Sequence, residues 1–329
     1  MSKQIGILGH PVILALASAA FVLSWSSGFL VAKIGTVDAS VLTLLVWRFL
    51  PLAAVLVAVA VVRGDLSRLT RTDLRRQATI GLLGQFGYCV SVYAAIALGV
   101  ASGTTALIDA VQPILVATLV GPILGLRVRG AQWLGLLAGG AGVFLVVASQ
   151  SADIDAGVAP YLFPVLAMVS LIVGTFIDRR APSRLPVVTT LTVHVAVTAA
   201  ALVAACVATN TFWPPPSPDF WLAVVFAAVV PTLGGYGLYW WLLRRVGVTA
   251  LNALLFLVAP TTALAGALMF GEPLTAVTVA GFALCGGGVA LVLVGESRGH
   301  GSAPKVPRRE RVAEPANAPL KAAEPTPGR

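Results

Sequence analysis

The sequence is poor in charged residues, and this scarcity excludes an ordinary soluble protein. Only 11% of its 329 residues are charged, 58% are hydrophobic, and the mean hydropathy is +0.92. A typical soluble domain carries about 25% charged residues, so this chain has too little polar surface to cover a globule in water. The composition predicts an integral membrane protein with the lipid bilayer as its main partner.

Residues for metal binding, redox chemistry and catalysis are also few. The three cysteines (Cys89, Cys206 and Cys285) lie in separate apolar segments without CxxC spacing, and the three histidines are scattered. This pattern predicts neither a metal site nor a disulfide framework. The sequence contains no GxxxxGK[ST], GxSxG or HExxH motif, which argues against ATP-driven transport and hydrolysis by this chain. We therefore expect no cofactor and no enzymatic activity.

What the sequence does contain is long apolar runs. A run of about 20 residues crosses the ~30 Å hydrocarbon core as a helix, and ten such runs occur. They are Pro11–Val31, Ser40–Val62, Ala78–Ala97, Ala101–Leu124, Ala131–Ala148, Ala159–Ile177, Val188–Ala208, Phe220–Leu243, Val248–Phe270 and Ala276–Val294. The pattern predicts an all-α protein with ten transmembrane helices.

The basic residues favour one orientation of these spans. Of the 22 Lys and Arg, 20 lie in the N-terminus, the C-terminal tail and alternate connections, all on the same face. The positive-inside rule then places both termini in the cytoplasm. This placement accounts for the net charge of +9 without nucleic acid as a partner. Lys3 and Ala15-Leu16-Ala17 also fit a cleavable leader, but its removal would invert every later loop.

The sequence is duplicated. Gly87-Tyr88 recurs as Gly235-Tyr236 at an offset of 148, and the downstream landmarks repeat with offsets that fall to 146. These landmarks are Gly99, Pro113, Gly125, Gly135 and Gly142, which return as Gly247, Pro260, Gly271, Gly281 and Gly288. Five spans per copy make the second copy enter the membrane in the opposite sense. Inverted repeats are the architecture of many secondary transporters.

We therefore divide the chain into three parts. Residues 8–150 and 151–295 are the two five-helix repeats. Residues 296–329 are rich in Pro, Ala and charged side chains and poor in apolar ones, a composition that predicts a disordered, basic cytoplasmic tail.

Several phrases resemble the EamA-type members of the drug/metabolite transporter superfamily. They are Pro260 with Phe270-Gly271-Glu272-Pro273-Leu274-Thr275, Gln132-Trp133-Leu134-Gly135 and Arg48-Phe49. The resemblance implies a secondary transporter of the bacterial inner membrane that exports small organic metabolites, such as amino acids or drug-like compounds. One departure is that Leu126 stands where the second copy has Glu272.

Ionisable residues inside spans are the first candidates for function, because a charge at mid-membrane costs about 2.5–3.5 kcal/mol on insertion scales. Asp109 belongs to a polar stripe with spacings of 3, 4 and 3, which places its members on one helical face. The stripe is Ser102, Thr105, Asp109 and Gln112, and its counterpart in the second copy is Thr249, Asn252, Phe256 and Ala259. Asp109 is thus specific to one repeat, and we assign it to proton coupling or cation recognition.

Arg48 is the second candidate. Arg48 and Asp109 each lie about eight residues into their span, roughly 12 Å deep at 1.5 Å per residue, so they can pair if the helices are neighbours. Arg48 is alternatively an anchor for a substrate carboxylate. The structural alternatives are that Arg48 extends to the lipid headgroups and that Asp109 is locally capped.

Other polar and aromatic residues are candidates for lining a substrate cavity, because rings with a polar handle suit organic ligands. They are Gln85, Tyr88, Tyr236, Tyr239 and Trp25, together with Asn252 and His194. His194 is either a proton relay or a packed core residue, and the aromatic rings are equally compatible with helix packing.

Two further patterns concern packing. The small-residue pairs Gly121/Gly125 and Gly135/Gly139 and the Gly286-Gly287-Gly288 run predict close helix contacts. Five tryptophans predict interfacial belts: Trp213 and Trp221 outside, and Trp133, Trp240 and Trp241 inside.

The resulting hypothesis is an alternating-access transporter with protons as coupling ions. The alternatives are an uncoupled facilitator and a non-transporting membrane enzyme or assembly partner.

Overall fold

The computed structural model describes residues 2–100, 102–125, 128, 130–148, 159–183, 185–270 and 275–300. The regular structure of these ranges is entirely helical. Leu126, Glu272 and the tail beyond residue 300 lie outside the described residues. The helices are α1 (Ser2–Gly35), α2 (Val41–Val62), α3 (Arg71–Gly81), α4 (Tyr88–Ala97), α5 (Ser102–Asp109), α6 (Gln112–Leu124), α7 (Gly130–Ala148), α8 (Leu162–Arg180), α9 (Val187–Thr209), α10 (Pro218–Ala227), α11 (Gly237–Val246), α12 (Val248–Leu254), α13 (Val258–Phe270) and α14 (Ala276–His300).

Helix ends follow the local sequence. Ser40 accepts a hydrogen bond from the backbone N–H of Thr43 at 3.1 Å and begins α2. Thr70 does the same for Asp73 at the start of α3. These side chains satisfy N–H groups that have no partner within the helix. Gly125 ends α6 with φ +68°, a left-handed conformation that glycine adopts without steric cost.

Seven helical segments among the described residues are long and apolar enough to cross a membrane. They are Pro11–Gly35, Val41–Val62, Arg71–Ala97, Ala159–Arg180, Val187–Thr209, Pro218–Val246 and Val248–Met269. Two shorter apolar helices cover Gln112–Leu124 and Val279–Val292. The chain is therefore a multi-helix membrane protein.

The two repeats carry backbone interruptions at matching positions. A π-helical stretch, Leu82–Gly87, joins α3 to α4, and a second one, Ala228–Tyr236, joins α10 to α11. Likewise a break at residues 110–111 separates α5 from α6, and a 3₁₀ turn, Leu255–Leu257, separates α12 from α13. Such departures from α geometry occur frequently at functional sites.

The first helix of each repeat packs mainly on the other repeat. Helix α1 contacts α13, α10, α11 and the π stretch Ala228–Tyr236 of the second repeat. Helix α8 contacts α3, α4, α5, α6 and the π stretch Leu82–Gly87 of the first. This exchange packs α1 against the π stretch of the second repeat and α8 against that of the first.

Duplicated glycines form the contact between α7 and α14. A Cβ on Gly135 would lie 2.6 Å from the carbonyl oxygen of Gly288, and one on Gly142 would lie 2.6 Å from that of Gly281. The pairing of early with late positions makes the two helices antiparallel, as equivalent helices of inverted repeats must be. Gly286 and Gly287 have no heavy atom within 4 Å of a built Cβ, so only Gly288 of that run lies in the contact.

The predicted tryptophan belt is wrong at one position. Trp213 is 83% exposed and Trp221 is 37% exposed, as interfacial residues would be. Trp240 is only 1% exposed, and its ring centroid lies 5.1 Å from that of His194. Trp240 faces inward because α11 packs against α9 on this side.

Candidate functional site

Trp25 of α1 lies at the centre of an aromatic cluster that both repeats supply. Its ring centroid lies 5.5 Å from that of Tyr88, 5.0 Å from that of Tyr236 and 5.4 Å from those of Tyr239 and Phe21. Tyr88 and Tyr236 are the repeat-equivalent tyrosines that follow or end the two π stretches. The duplicated Gly-Tyr pairs thus place one aromatic ring on each side of Trp25.

A chain of hydrogen bonds leads from this cluster to Asp109. The indole Nε1–H of Trp25 donates to the hydroxyl of Tyr88 at 3.1 Å, and that hydroxyl donates to Oδ2 of Asp109 at 2.9 Å. Asp109 is 4% exposed, and its Oδ1 has no hydrogen-bond partner among the described residues. A buried carboxylate oxygen without a partner is costly, so this atom can accept a proton or a cationic group.

Arg48 is buried among neutral partners. Its Nε donates to Thr232 at 2.8 Å and its Nη1 donates to the hydroxyl of Tyr93 at 2.7 Å. The guanidinium carbon lies 4.8 Å from the ring centroid of Phe49 and 5.5 Å from that of Tyr93. The side chain is 2% exposed. Among the described residues Arg48 and Asp109 thus have different hydrogen-bond partners, and the predicted pairing of the two is not present.

A small cavity of about 30 Å³ lies beside Arg48 and the rings around Trp25. Its walls include Arg48, Tyr88, Tyr93, Trp25 and Tyr236. A cavity needs about 10–15 Å³ to hold one water molecule, so this space is too small for an organic solute in the present conformation. The cluster is therefore closed in this conformation, with Arg48 at the cavity wall and Asp109 outside the lining.

The other residues singled out in the sequence lie outside this cluster. Gln112 donates to Asn252 at 2.8 Å, which joins α6 to α12. Thr105 is fully buried and has an interaction partner. Thr198 donates to Gln85 at 3.4 Å. The Gln112–Asn252 and Thr198–Gln85 hydrogen bonds join helices, and none of these residues lines the cavity.

His194 also lies apart from the cavity. A ring nitrogen, Nε2, is hydrogen-bonded to Gln77 at 2.9 Å, and Trp240 covers the ring. A Cβ on Gly81 would lie 2.8 Å from the Cα of His194, so α3 and α9 are in close contact here. This environment is that of a packed residue that joins two helices.

Several residues of the structure were not among the predicted candidates. Tyr93 and Thr232 bind Arg48, and Thr175 is hydrogen-bonded to Tyr239 at 2.6 Å. Each is an uncharged polar residue within an apolar run, which is a weak signal. Asp178 of α8 is 2% exposed and lies near the charges of three arginines (Arg76, Arg179 and Arg244). In the sequence Asp178 follows the end of the predicted span and directly precedes Arg179, so it is assigned to the connection after that span.

The fold and the site together define a class: an all-helical membrane protein of two repeats with a polar, aromatic centre at their boundary. The model of the EamA-like transporter family matches the chain twice, over residues 11–148 and 159–294. The chain therefore belongs to the EamA-like transporter family, which confirms the family predicted from its motifs.

A solved crystal structure shares the fold. It aligns with a TM-score of 0.69 at 21% sequence identity, over 87% of this chain and 98% of that one. At this identity the similarity concerns the fold alone. None of the curated proteins compared matches the sequence.

Proposed function

We propose that this protein is a secondary transporter that exports small organic metabolites, such as amino acids or drug-like compounds, by alternating access. Membership of a transporter family supports the activity class. The exchange of α1 and α8 between repeats supports the mechanism, because it leaves one central cluster that both repeats can expose in turn.

The observation that carries the proposal is the free Oδ1 of Asp109. Tyr88 holds the other oxygen, so the carboxylate is positioned while one oxygen stays available. In the proposed cycle Asp109 binds a proton from one side of the membrane and releases it to the other, which couples solute movement to the proton gradient.

Arg48 is proposed as the anchor for a negatively charged group of the substrate. Among the described residues the hydrogen-bond partners of the guanidinium are two hydroxyls, those of Thr232 and Tyr93, and a substrate carboxylate would supply a counter-charge. Trp25, Tyr88 and Tyr236 would contact the apolar part of the solute.

The proposed setting is the bacterial inner membrane, with ten spans and both termini in the cytoplasm. The distribution of basic residues supports this orientation. Asn252, Gln112, Thr105, Gln85, Tyr239 and His194 then belong to the supporting framework of the transport path.

The test is flux into proteoliposomes with and without an imposed pH gradient. A panel of amino acids and drug-like compounds is screened by thermal shift, and compounds that bind are used in the flux assay. We expect Asp109→Asn to lose the gradient-dependent part of transport, because an amide cannot carry the proton. Asp219→Asn is the matched control, since Asp219 is an exposed carboxylate at the start of α10. Equal flux with and without the gradient in the unmodified protein would identify an uncoupled facilitator instead.

A further inference from the structure

A large cavity lies apart from the central cluster. It has a volume of about 920 Å³ and is bounded by α1, α12, α13 and α14, with Arg245 of α11 at one end. Small organic ligands occupy pockets of about 300–1,000 Å³, so the space is large enough for one. We call this cavity the leaflet groove.

The walls of the leaflet groove are apolar. Leu14, Leu254 and Leu264 are among its lining side chains. Two hydroxyl side chains, Ser18 and Thr261, also line it, and the Thr261 hydroxyl donates to the carbonyl of Leu257 in the preceding 3₁₀ turn at 2.6 Å. The groove therefore offers mainly hydrocarbon contact along its length.

The length of the leaflet groove matches one leaflet of a bilayer. On α1 its lining runs from Pro11, where the apolar span begins, to Leu23. At 1.5 Å per residue this distance is about 18 Å, and half of the ~30 Å hydrocarbon core is about 15 Å. The groove thus begins at one membrane surface and ends near the midplane.

The surface end of the leaflet groove carries a positive charge. Arg245 is exposed, and its guanidinium carbon lies 5.0 Å from the ring centroid of Trp241. Tryptophan rings are enriched at the headgroup level, and arginines at such positions attract anionic lipid headgroups. The charge and the apolar walls together fit a molecule with an anionic head and a long hydrocarbon tail.

We propose that the leaflet groove binds one acyl chain of an anionic phospholipid, whose headgroup is contacted by Arg245. The proposal rests on the membrane orientation proposed above and not on the transport activity. Bound in this way, the chain lies against Leu254 and Leu257, on the outer side of the 3₁₀ turn of the second repeat. The lipid would thus pack against the 3₁₀ turn between α12 and α13 on its membrane-facing side.

The test is native mass spectrometry of the purified full chain, titrated with phosphatidylglycerol or phosphatidylcholine of identical acyl chains. One arginine near the surface contributes about 1 kcal/mol toward an anionic lipid, so phosphatidylglycerol should bind about fivefold more tightly. Arg245→Gln should remove this preference. Arg180→Gln is the matched control, because Arg180 is an exposed arginine at the end of α8, outside the groove.

A second pair of variants tests the groove itself. Ala19 lines the groove and is exposed, so Ala19→Trp should fill it and reduce binding of both lipids at least fivefold. Ala20→Trp places the same ring on an exposed neighbour that does not line the groove and should leave binding unchanged. Ala15→Trp repeats the test one turn away.

Three results would overturn the proposal. The first is equal affinity of the unmodified protein for the two lipids. The second is unchanged lipid binding in Arg245→Gln. The third is unchanged lipid binding in both groove-filling variants, and if these variants also lose transport, the groove is a lateral path for solute. Lipid binding is measured without transport, so failure of the proposed transport activity would leave this result intact.

Discussion

The α5–α6 region of the first repeat and the α12–α13 region of the second share a backbone interruption but differ in chemistry. At the first break lies Asp109, whose carboxylate is held by Tyr88. An offset of 147 places Phe256 at the second break, fully buried, with its ring against Gly139. One interruption therefore holds a titratable group, and the other is filled by an apolar ring.

This difference indicates that the duplication supplies a shared backbone design, while the side chains of the two repeats serve different chemical functions. Helix interruptions at equivalent positions allow each repeat to adopt the conformation of the other, as alternating access by inverted repeats requires. Side chains that differ at those interruptions give the halves different chemical tasks. Arg48 fits the same division, because α9, the helix of the second repeat that corresponds to α2, contains no arginine.

The largest expected effect comes from removing the cation of the first repeat. Arg48→Met should weaken binding of a carboxylate-bearing substrate about 30-fold or more, because loss of one partner of a buried charged contact costs about 2–5 kcal/mol. Arg48→Lys should restore part of the affinity. The measurement is the KM for flux, with Arg63→Gln, an exposed arginine at the end of α2, as control. An unchanged KM in Arg48→Met would show that Arg48 does not bind the substrate.

The equivalent tyrosines should respond unequally. Tyr88→Phe removes the hydrogen bond to a carboxylate, worth about 1.5–3 kcal/mol, and transport should fall about tenfold or more. Within the described part of the chain the hydroxyl of Tyr236 is hydrogen-bonded to the thiol of Cys89, a weak partner, at 3.3 Å, so Tyr236→Phe should change transport less than about threefold by the same energetic argument. Both rates are measured in the proteoliposome assay. Equal losses in the two variants would contradict the division of roles.

At the glycine contact between α7 and α14, an alanine substitution should lower the stability of the protein at one position and leave it unchanged at the neighbouring position. Gly288→Ala places a Cβ 2.5 Å from the carbonyl oxygen of Gly135, and such overpacking costs about 1–3 kcal/mol. Gly287→Ala meets no atom within 4 Å and should be neutral or slightly stabilising. Thermal unfolding in detergent measures both. A loss of stability in Gly287→Ala equal to that in Gly288→Ala would show that the contact is not where the structure has it.

The smallest effect is the coupling between Phe256 and Gly139. A Cβ on Gly139 would lie 2.5 Å from the ring of Phe256, so Gly139→Ala should destabilise the protein. Phe256→Leu, made in the same chain, should reduce that loss. A coupling free energy of about 0.5–3 kcal/mol is typical of residues in contact, and a double-mutant cycle of thermal unfolding measures it. Strict additivity would show that the ring does not occupy the second break.

The sequence predicts the family and the duplication, with the Gly-Tyr pair as one of its repeated landmarks, because these depend on patterns that persist over many residues. It also identifies Arg48, Asp109 and Trp25 as unusual in an apolar context. It does not predict that Arg48 binds Tyr93 and Thr232 instead of Asp109, since depth along two helices says nothing about their rotation.

Other features depend on packing between helices that are distant in sequence. Trp240 has the sequence context of an interfacial ring, yet it is buried against His194. Asp178 follows an apolar run directly before two arginines, and only the packing of α3 and α11 around α8 makes it a buried residue. The amino-acid composition of the π stretches does not predict a π-helical conformation.

Those π stretches also determine where the two tyrosines point. A π turn contains an extra residue relative to an α turn, and one residue corresponds to a rotation of about 100° in an α-helix. Tyr88 and Tyr236 therefore contact Trp25 because of a local insertion in the helical register, not because of their distance along the chain. Deleting Leu83 from this stretch would leave every candidate side chain in the protein and should still turn Tyr88 away from both Trp25 and Asp109.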